Sequence, residues 1–339
     1  MAWYEESTLD DGAIISSRVR LARNFGKYPF KKKLTHACAA KMVEEVAGAI
    51  QVNSEKRAFF SLDMDNLSAV EKKVFIEKHI VSNDFLFASL PKVLLISENQ
   101  SISVMVNEED HLRIQAVFAG DSMARSYDAA CRLDDLIEEK MDYAFHADYG
   151  YLTACPTNTG TGMRASYMVH LPCIDRDDIA NKLMPHVAKF GITLRGIHGE
   201  GTAPLGSIYQ ISNQATLGKT EEEIMDGLES VTKTILDHER KNRENLLENK
   251  PHYIKDKVCR SYGILASARL ISANEAISLL SDVRLGFMLG LFDRPRPHKS
   301  IYQIMMEIQP GHLQRAVGME MDEQGRDLAR ADFLRGIFV

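Results

Sequence analysis

Apolar and polar side chains roughly alternate along residues 102–106 and 112–118, the period of a strand with one face toward a core. Residues 93–97 are a short run of strand-formers, and 167–171, 192–197 and 207–211 read similarly. Only Asn107 to His111 separate the second stretch from the third, so these two are predicted to pair as an antiparallel hairpin. Helical signals interrupt the strands at about 39–50, 68–80, 122–145 and 175–190. Strands in clusters with helices between them predict an α+β fold, an antiparallel β-sheet flanked by helices. At Thr220 the period changes. Thr220 and Glu223 form a capping box, and Ile224, Leu228, Val231 and Ile235 follow at helical spacing. The continuation, residues 237–244, is so charged that it reads as a solvated linking helix. Beyond 250 every signal is helical, with a second capping box at Ser272 and Glu275 and punctuation at Pro295, Pro297, Pro310 and Gly311. A boundary is therefore expected within 235–250, dividing a mixed portion, 1–240, from an all-helical C-terminal portion, 241–339.

The composition agrees with a folded protein. The chain has 339 residues, 45% hydrophobic and 26% charged, enough for about two domains. Its net charge of −6 argues against a general nucleic-acid binder. The longest apolar piece, 286–292, is too short to span a membrane, and the acidic opening is unlike a signal peptide. Five scattered cysteines without a C-x-x-C suggest neither a disulfide framework nor a zinc site, and a reducing cytoplasm fits them best. Each is expected to be a buried small hydrophobe, Cys155 excepted.

Familiar catalytic signatures are missing: no P-loop, no G-x-G-x-x-G after a strand, no H-R-D or D-F-G, no H-E-x-x-H and no G-x-S-x-G. Arginine stands out instead. Arg18 and Arg20 share one face if their segment is extended. Arg113 follows Glu109 by four positions, Arg164 lies within the run from Cys155 to Ser166, and Arg195 opens the run to Glu200. The guanidinium stays charged and its planar fork matches phosphate oxygens, so converging arginines would hold a polyphosphate without a P-loop. The sequence does not show that they converge. In the run 155–166, Pro156, Gly160 and Gly162 suit an unusual loop, and its glycines and threonines are expected to bare backbone N–H groups to an anion. A cysteine before proline and beside cations is expected to be partly thiolate.

Residues 107–113 and 155–166 resemble the signature blocks of the ATP:guanido phosphotransferases, the phosphagen kinases. The block Ser16, Ser17, Arg18, Val19, Arg20 and the block Arg195, Gly196, Ile197, His198, Gly199, Glu200 occur in that family's order. Together the resemblance covers about residues 16–217. Metabolite phosphagen kinases carry a small helical domain before the first arginine block. Here that block begins at Ser16, leaving no room for the domain, and helical residues are appended after the catalytic blocks. This layout resembles the bacterial protein-arginine kinases, whose R-D-x-x-R-A motif is matched by Arg326, Asp327, Arg330 and Ala331.

The resemblance implies a phosphagen-kinase-like catalytic domain over 1–240 and a helical domain over 241–339 for dimerisation and phosphoarginine binding. The implied activity is transfer of the ATP γ-phosphoryl group to arginine side chains in proteins, marking them for regulated proteolysis and stress-response control. Glu109 falls in the catalytic-base position, Glu200 in that of the second guanidinium clamp, and Cys155 in that of a guanidinium contact. Phosphate binding falls to Arg18, Arg20, Arg113, Arg164 and Arg195. Their neighbours Ser16, Ser17, Val19, Ala165, Ser166, Tyr167, Met168, Gly196, Ile197, His198 and Gly199, with His79, are expected around the nucleotide. Mg²⁺ is expected on the nucleotide phosphates, without protein ligands. Arg326, Asp327, Arg330 and Ala331 are the implied regulatory phosphoarginine site. The implied partners are arginine-bearing protein substrates, the McsA activator, the ClpC chaperone, the CtsR repressor and a second copy of the chain. Two other readings stand beside this one: a kinase of free arginine, and a non-catalytic phosphoarginine-binding adaptor.

Overall fold

Ten strands are present in the computed structural model, which describes residues 2–5, 12–53, 59–176, 179–196, 204–292 and 297–339. They are β1 (Ile14–Arg23), β2 (Phe59–Leu62), β3 (Val93–Ser97), β4 (Ile102–Val106), β5 (Leu112–Ala119), β6 (Phe145–His146), β7 (Gly150–Tyr151), β8 (Met163–His170), β9 (Ile192–Gly196) and β10 (Ile208–Asn213). Eight form one sheet in the order β2-β3-β4-β5-β1-β8-β10-β9, and β6 and β7 form a separate hairpin. The expected β4–β5 hairpin is there, with Val104 opposite Ile114 and Val106 opposite Leu112. β3 pairs antiparallel with β4, and β2 with β3. β2 has no counterpart among the strands predicted from sequence, where β1 is extended only conditionally. β1 nonetheless runs ten residues beside β5, placing Arg18 opposite Val117 and Arg20 opposite Gln115. All five residues of β4 are buried, Ser103 included, so its polar positions mark a doubly covered strand rather than a solvated face.

The chain divides into two compact units. One holds Ser16–Tyr167 and Ser212–Leu228 with the first few residues; the other holds Tyr4–Ile15, Met168–Ile211 and Glu229–Val339. In the first unit, Met64, Ile80, Phe85, Leu94 and Met105 make a buried cluster. The helix expected at 122–145 stops at Glu138, because Tyr143 turns inward, its hydroxyl donating to the Asp134 carbonyl, and the β6–β7 hairpin follows. Beneath the same helix, the buried Arg23 donates to Asp134 through Nε (3.0 Å) and Nη2 (2.7 Å), with the Tyr151 ring 3.6 Å from the guanidinium carbon.

In the second unit, Cys173, Leu246, Ile254, Val258 and Leu285 form a buried cluster. The box at Thr220 forms as expected, Glu223 N–H donating to Thr220 Oγ1 (3.1 Å) and Thr220 N–H to Glu223 Oε2 (2.9 Å). The helix it opens, Glu221–Asn249, is not simply a solvated linker. Glu239 is 1% exposed and accepts the N–H groups of Cys173 and Ile174 and the Nε of Arg243 (2.7 Å). Its carboxylate thereby satisfies the first turn of the helix Pro172–Arg176. Glu239→Gln keeps the shape but removes the charge from these bonds. It is expected to lower the unfolding free energy by about 2 kcal/mol, measured by urea denaturation. An unchanged midpoint would show that the carboxylate contributes no net stability.

The cysteines correct one expectation. Cys173 is buried, Cys38, Cys131 and Cys155 are partly exposed and Cys259 is exposed; all five are free thiols. Among the described residues no helix is long and apolar enough to cross a membrane.

Candidate active site

The connection between β4 and β5 is a braced corner rather than a solvated turn. Asn107 has φ of 66°, a left-handed backbone that its short polar side chain tolerates. Its side-chain amide donates to the Pro91 carbonyl (2.7 Å) and its N–H to the His111 carbonyl (2.8 Å). Glu108, Asp110 and His111 are buried, whereas Glu109 is exposed. Glu108 accepts from Arg113 Nη1 (2.7 Å), Ser82 Oγ (2.5 Å) and the Glu109 N–H (2.7 Å), and its carbonyl accepts from Lys31 Nζ. Burial pushes its carboxyl pKa up, but Arg113 and these bonds outweigh burial and hold it below the ordinary range. Asp110 Oδ1 accepts from Asn24 Nδ2 and the Ala154 N–H, each at 2.6 Å, tying the corner to the segment before Cys155. Burial, aided by Glu108, leaves the Asp110 pKa raised despite those bonds. His111 Nδ1 accepts the Phe25 N–H (3.1 Å), so Nε2 carries the proton and donates to the Pro29 carbonyl (3.0 Å). Burial pushes its pKa down to about 4, so it is neutral at pH 7. The side chains of Asn107, Glu108, Asp110 and His111 thus brace the corner, and Glu109 lines a cavity.

That cavity, about 180 Å³, is lined by Glu109 and Cys155 together with Arg20, Arg113 and Arg164. The arginines stand on β1, β5 and β8, consecutive members of the sheet together with their neighbours. Arg18 lies two residues from Arg20 on the same face of β1 and reaches Ser166 Oγ with Nε (3.4 Å). Burial, then the charges of Arg18, Arg113 and Arg164, push the Arg20 pKa well below its usual value, with Glu108 opposing them. So much like charge in one place is costly, and a polyphosphate would relieve it. Four of the five expected arginines therefore converge. Partial shielding of its carboxyl from water, then the charges of Asp110 and Glu108, raise the Glu109 pKa, against Arg113. The cavity thus brings a carboxylate and several fixed cations together.

The Gly-rich run works differently from its expected role. Gly162, at φ of 63°, packs so closely that a Cβ would meet the Ala22 carbonyl oxygen at 2.6 Å. Gly160, at φ of 115°, approaches the Thr216 carbonyl oxygen equally closely. The N–H groups of Asn158, Thr159, Gly160 and Thr161 already donate to protein carbonyls, and that of Met163 to Thr161 Oγ1. The run is held to β1 and the segment around Thr216, so an anion here meets arginine side chains rather than these N–H groups. Cys155 caps the short turn Pro156–Asn158, its Sγ 3.1 Å from Thr157 Oγ1.

Other expected residues fall elsewhere. Ser16 and Ser17 are buried in β1, where the Ser17 hydroxyl donates to the Gly120 carbonyl (2.8 Å) and accepts the Ser122 N–H. Val19, Ala165, Ser166, Tyr167 and Met168 are buried along β1 and β8. His79 occupies the left-handed position after the helix Ala69–Glu77, its carbonyl accepting Gln115 Nε2 (2.8 Å). Arg195 and Gly196 close β9 in the second unit, Arg195 Nε donating to Thr193 Oγ1 (3.1 Å). Ile197, His198, Gly199 and Glu200 lie outside the described residues. In the C-terminal helix Glu323–Phe338, Arg330 is 1% exposed and donates to the carbonyls of Ile308 (3.1 Å) and Ile271 (2.8 Å) and to Asp327 Oδ1 (2.5 Å). Arg326 donates to the Met321 carbonyl (2.7 Å), and Ala331 is buried. Glu108 and Asp110 were missed as contributors. Their signal was two further carboxylates within one five-residue connection, more charge than a tight turn requires.

Residues 41–242 match the family described as ATP:guanido phosphotransferase, C-terminal catalytic domain, and residues 251–339 match the protein-arginine kinase McsB C-terminal domain. A protein-arginine kinase of Halothermothrix orenii is 41% identical over 98% of this chain and 95% of its own length. Its counterpart in Syntrophomonas wolfei is 40% identical over 99% of this chain and 94% of its own. Among solved structures, lombricine kinase superposes with a TM-score of 0.60 at 22% identity, over 72% of this chain and 71% of its own. The duplicated taurocyamine kinase of Schistosoma mansoni gives a TM-score of 0.62 at 21% identity, over 76% of this chain and 39% of its own. At these identities the two structures bear on the fold alone.

Proposed function

Because this chain belongs to the ATP:guanido phosphotransferase family, among its protein-arginine kinases, we propose that the arginine-lined cavity of the first unit is where the ATP γ-phosphoryl group meets a protein arginine side chain. The observation that carries this reading is that Glu109, Cys155, Arg20, Arg113 and Arg164 line one cavity. A guanidinium holds its proton with a pKa above about 12 and delocalises its nitrogen lone pairs. Attack on phosphorus therefore needs a carboxylate that aligns one terminal nitrogen and takes its proton as the N–P bond forms and ADP leaves. Glu109 is that carboxylate, and Cys155 positions the guanidinium beside it. Arg18, Arg20, Arg113 and Arg164 neutralise the phosphates, largely through charge and alignment. Arg195 and Glu200 keep the phosphate and clamp roles that the family pattern implies. Mg²⁺ is proposed on the nucleotide phosphates, as the family pattern implies.

The same proposal places the catalytic portion at 1–240 and a dimerising, regulatory portion at 241–339, acting in the cytoplasm. There Arg326 and Asp327 offer phosphoarginine its contacts, with Arg330 as their buried anchor. McsA, ClpC and CtsR are the proposed partners in regulated proteolysis and the stress response. The test is incubation with ATP, Mg²⁺ and an unfolded basic protein, followed by mass spectrometry without an acid step, since the P–N bond is acid-labile. Phosphoarginine on the protein is expected. Its absence where free arginine is phosphorylated would make the chain a free-arginine kinase instead.

A further inference from the structure

Glu109 and Cys155 also line a second, open groove of about 1100 Å³ that leads away from the cavity. Its walls carry Phe30, Lys32, Leu34, Asp84, Phe87 and Leu90. Phe87 is 85% exposed and Phe30 38%. The exposure of Phe87 follows from its helix, Asn83–Phe87, whose Phe85 is fully buried beside Met64, Ile80 and Leu94. Two helical residues further on, the side chain points about 200° away, out of that core. The walls are braced to the corner that carries Glu109. Ser82 accepts the Phe85 N–H (3.2 Å) at the start of the Phe87 helix and donates to Glu108 (2.5 Å). The Phe30 ring lies 6.2 Å from that of His111.

From this arrangement, and resting on the reading of the cavity given above, we propose that the groove holds the polypeptide flanking the target arginine. An apolar neighbour of that arginine packs on Phe87 and Phe30, and an acidic neighbour meets Lys32. Three observations favour a polypeptide over a free amino acid. The groove exceeds the range of about 300–1,000 Å³ usual for small-molecule sites. Its exposed aromatic rings are the residues enriched where proteins are recognised. It is continuous with the cavity at Glu109 and Cys155, the two side chains placed next to the reacting guanidinium. Lys32 is exposed at the groove wall, so it draws an acidic flank without the cost of unpairing a buried charge.

The experiment compares the full-length protein with its F87S and K32E variants. The acceptors are three peptides: one arginine flanked by leucine and phenylalanine, the same arginine flanked by glycine, and the apolar peptide with an added glutamate. Both substitutions lie at exposed positions, and circular dichroism checks the fold. For the wild type, kcat/KM is expected to be about tenfold higher with apolar than with glycine flanks, the scale of one well-filled hydrophobic contact. F87S is expected to abolish that preference while leaving the ATP KM and the rate on the glycine peptide unchanged. K32E is expected to remove the advantage of the added glutamate. A wild type indifferent to flanks, or an F87S variant that keeps the preference, overturns the groove while the kinase reading stands. No transfer to any of the three peptides overturns the reading of the cavity itself, and the inference with it.

Discussion

Glu109→Gln is expected to lower kcat by about 10²–10⁴-fold while ATP still binds, because the amide keeps the shape of the carboxylate and cannot take the guanidinium proton. The arginines proposed to meet the phosphates stand on strands, and the corner is braced by Glu108, Asp110 and His111, so the substitution leaves both in place. The Glu108 carboxylate holds the Glu109 N–H, and that bond is unaffected by a change at the Glu109 side chain. The pH dependence follows with a definite sign. Partial shielding from water and the charges of Asp110 and Glu108 raise the Glu109 pKa, so protonation silences the base as pH falls through a value above that of an ordinary glutamate, about 4.3. The acid limb of the wild-type kcat profile is expected above that value, and the residual activity of the Gln variant should lack it. Calorimetric titration of ATP alongside steady-state kinetics reads both halves. A loss under tenfold would remove Glu109 from the role of base.

Arg330→Ala is expected to cost about 3–5 kcal/mol of stability, the cost of breaking a buried, paired charge. The guanidinium reaches the carbonyls of Ile308 and Ile271 and the Asp327 carboxylate from a position 1% exposed. Removing it leaves two carbonyls without this donor, strands a carboxylate and opens a cavity. Thermal or urea unfolding of the full-length protein measures the loss. Arg326→Ala is expected to cost only about 1 kcal/mol, since its side chain is partly exposed and donates to the Met321 carbonyl. Any loss of phosphoarginine binding in an Arg330 variant would therefore be confounded with unfolding, whereas Arg326→Ala separates binding from stability. An Arg330→Ala protein as stable as the wild type would show that the buried guanidinium is not the anchor the geometry describes.

Much of the molecule was legible in its local patterns. The β4–β5 hairpin, the capping box at Thr220, the N-cap at Ser272 and the helices after residue 220 depend on neighbours close in sequence. Periodicity and capping chemistry record such neighbours directly. Glu109, Cys155 and the arginines were singled out because they fall in short ordered blocks that resemble those of a known family, and Glu109, Cys155, Arg20, Arg113 and Arg164 line one cavity. What short patterns do not encode is which long-range partner a polar side chain meets. Glu239 read as part of a solvated charged run because charge density is local information. Its burial depends on Cys173 and Ile174, far away in the chain. The burial of Arg330 was not legible for the same reason: its acceptors lie on other elements. The Gly-rich run read as an anion loop, but the N–H groups of Asn158, Thr159, Gly160 and Thr161 are bonded to protein carbonyls. The meeting of Arg18, Arg20, Arg113 and Arg164 required β1, β5 and β8 to lie side by side. Ordered blocks that resemble a known family thus pointed to the chemistry. The pairing of distant strands placed the charges around one cavity, because convergence is a property of packing and not of neighbouring residues along the chain.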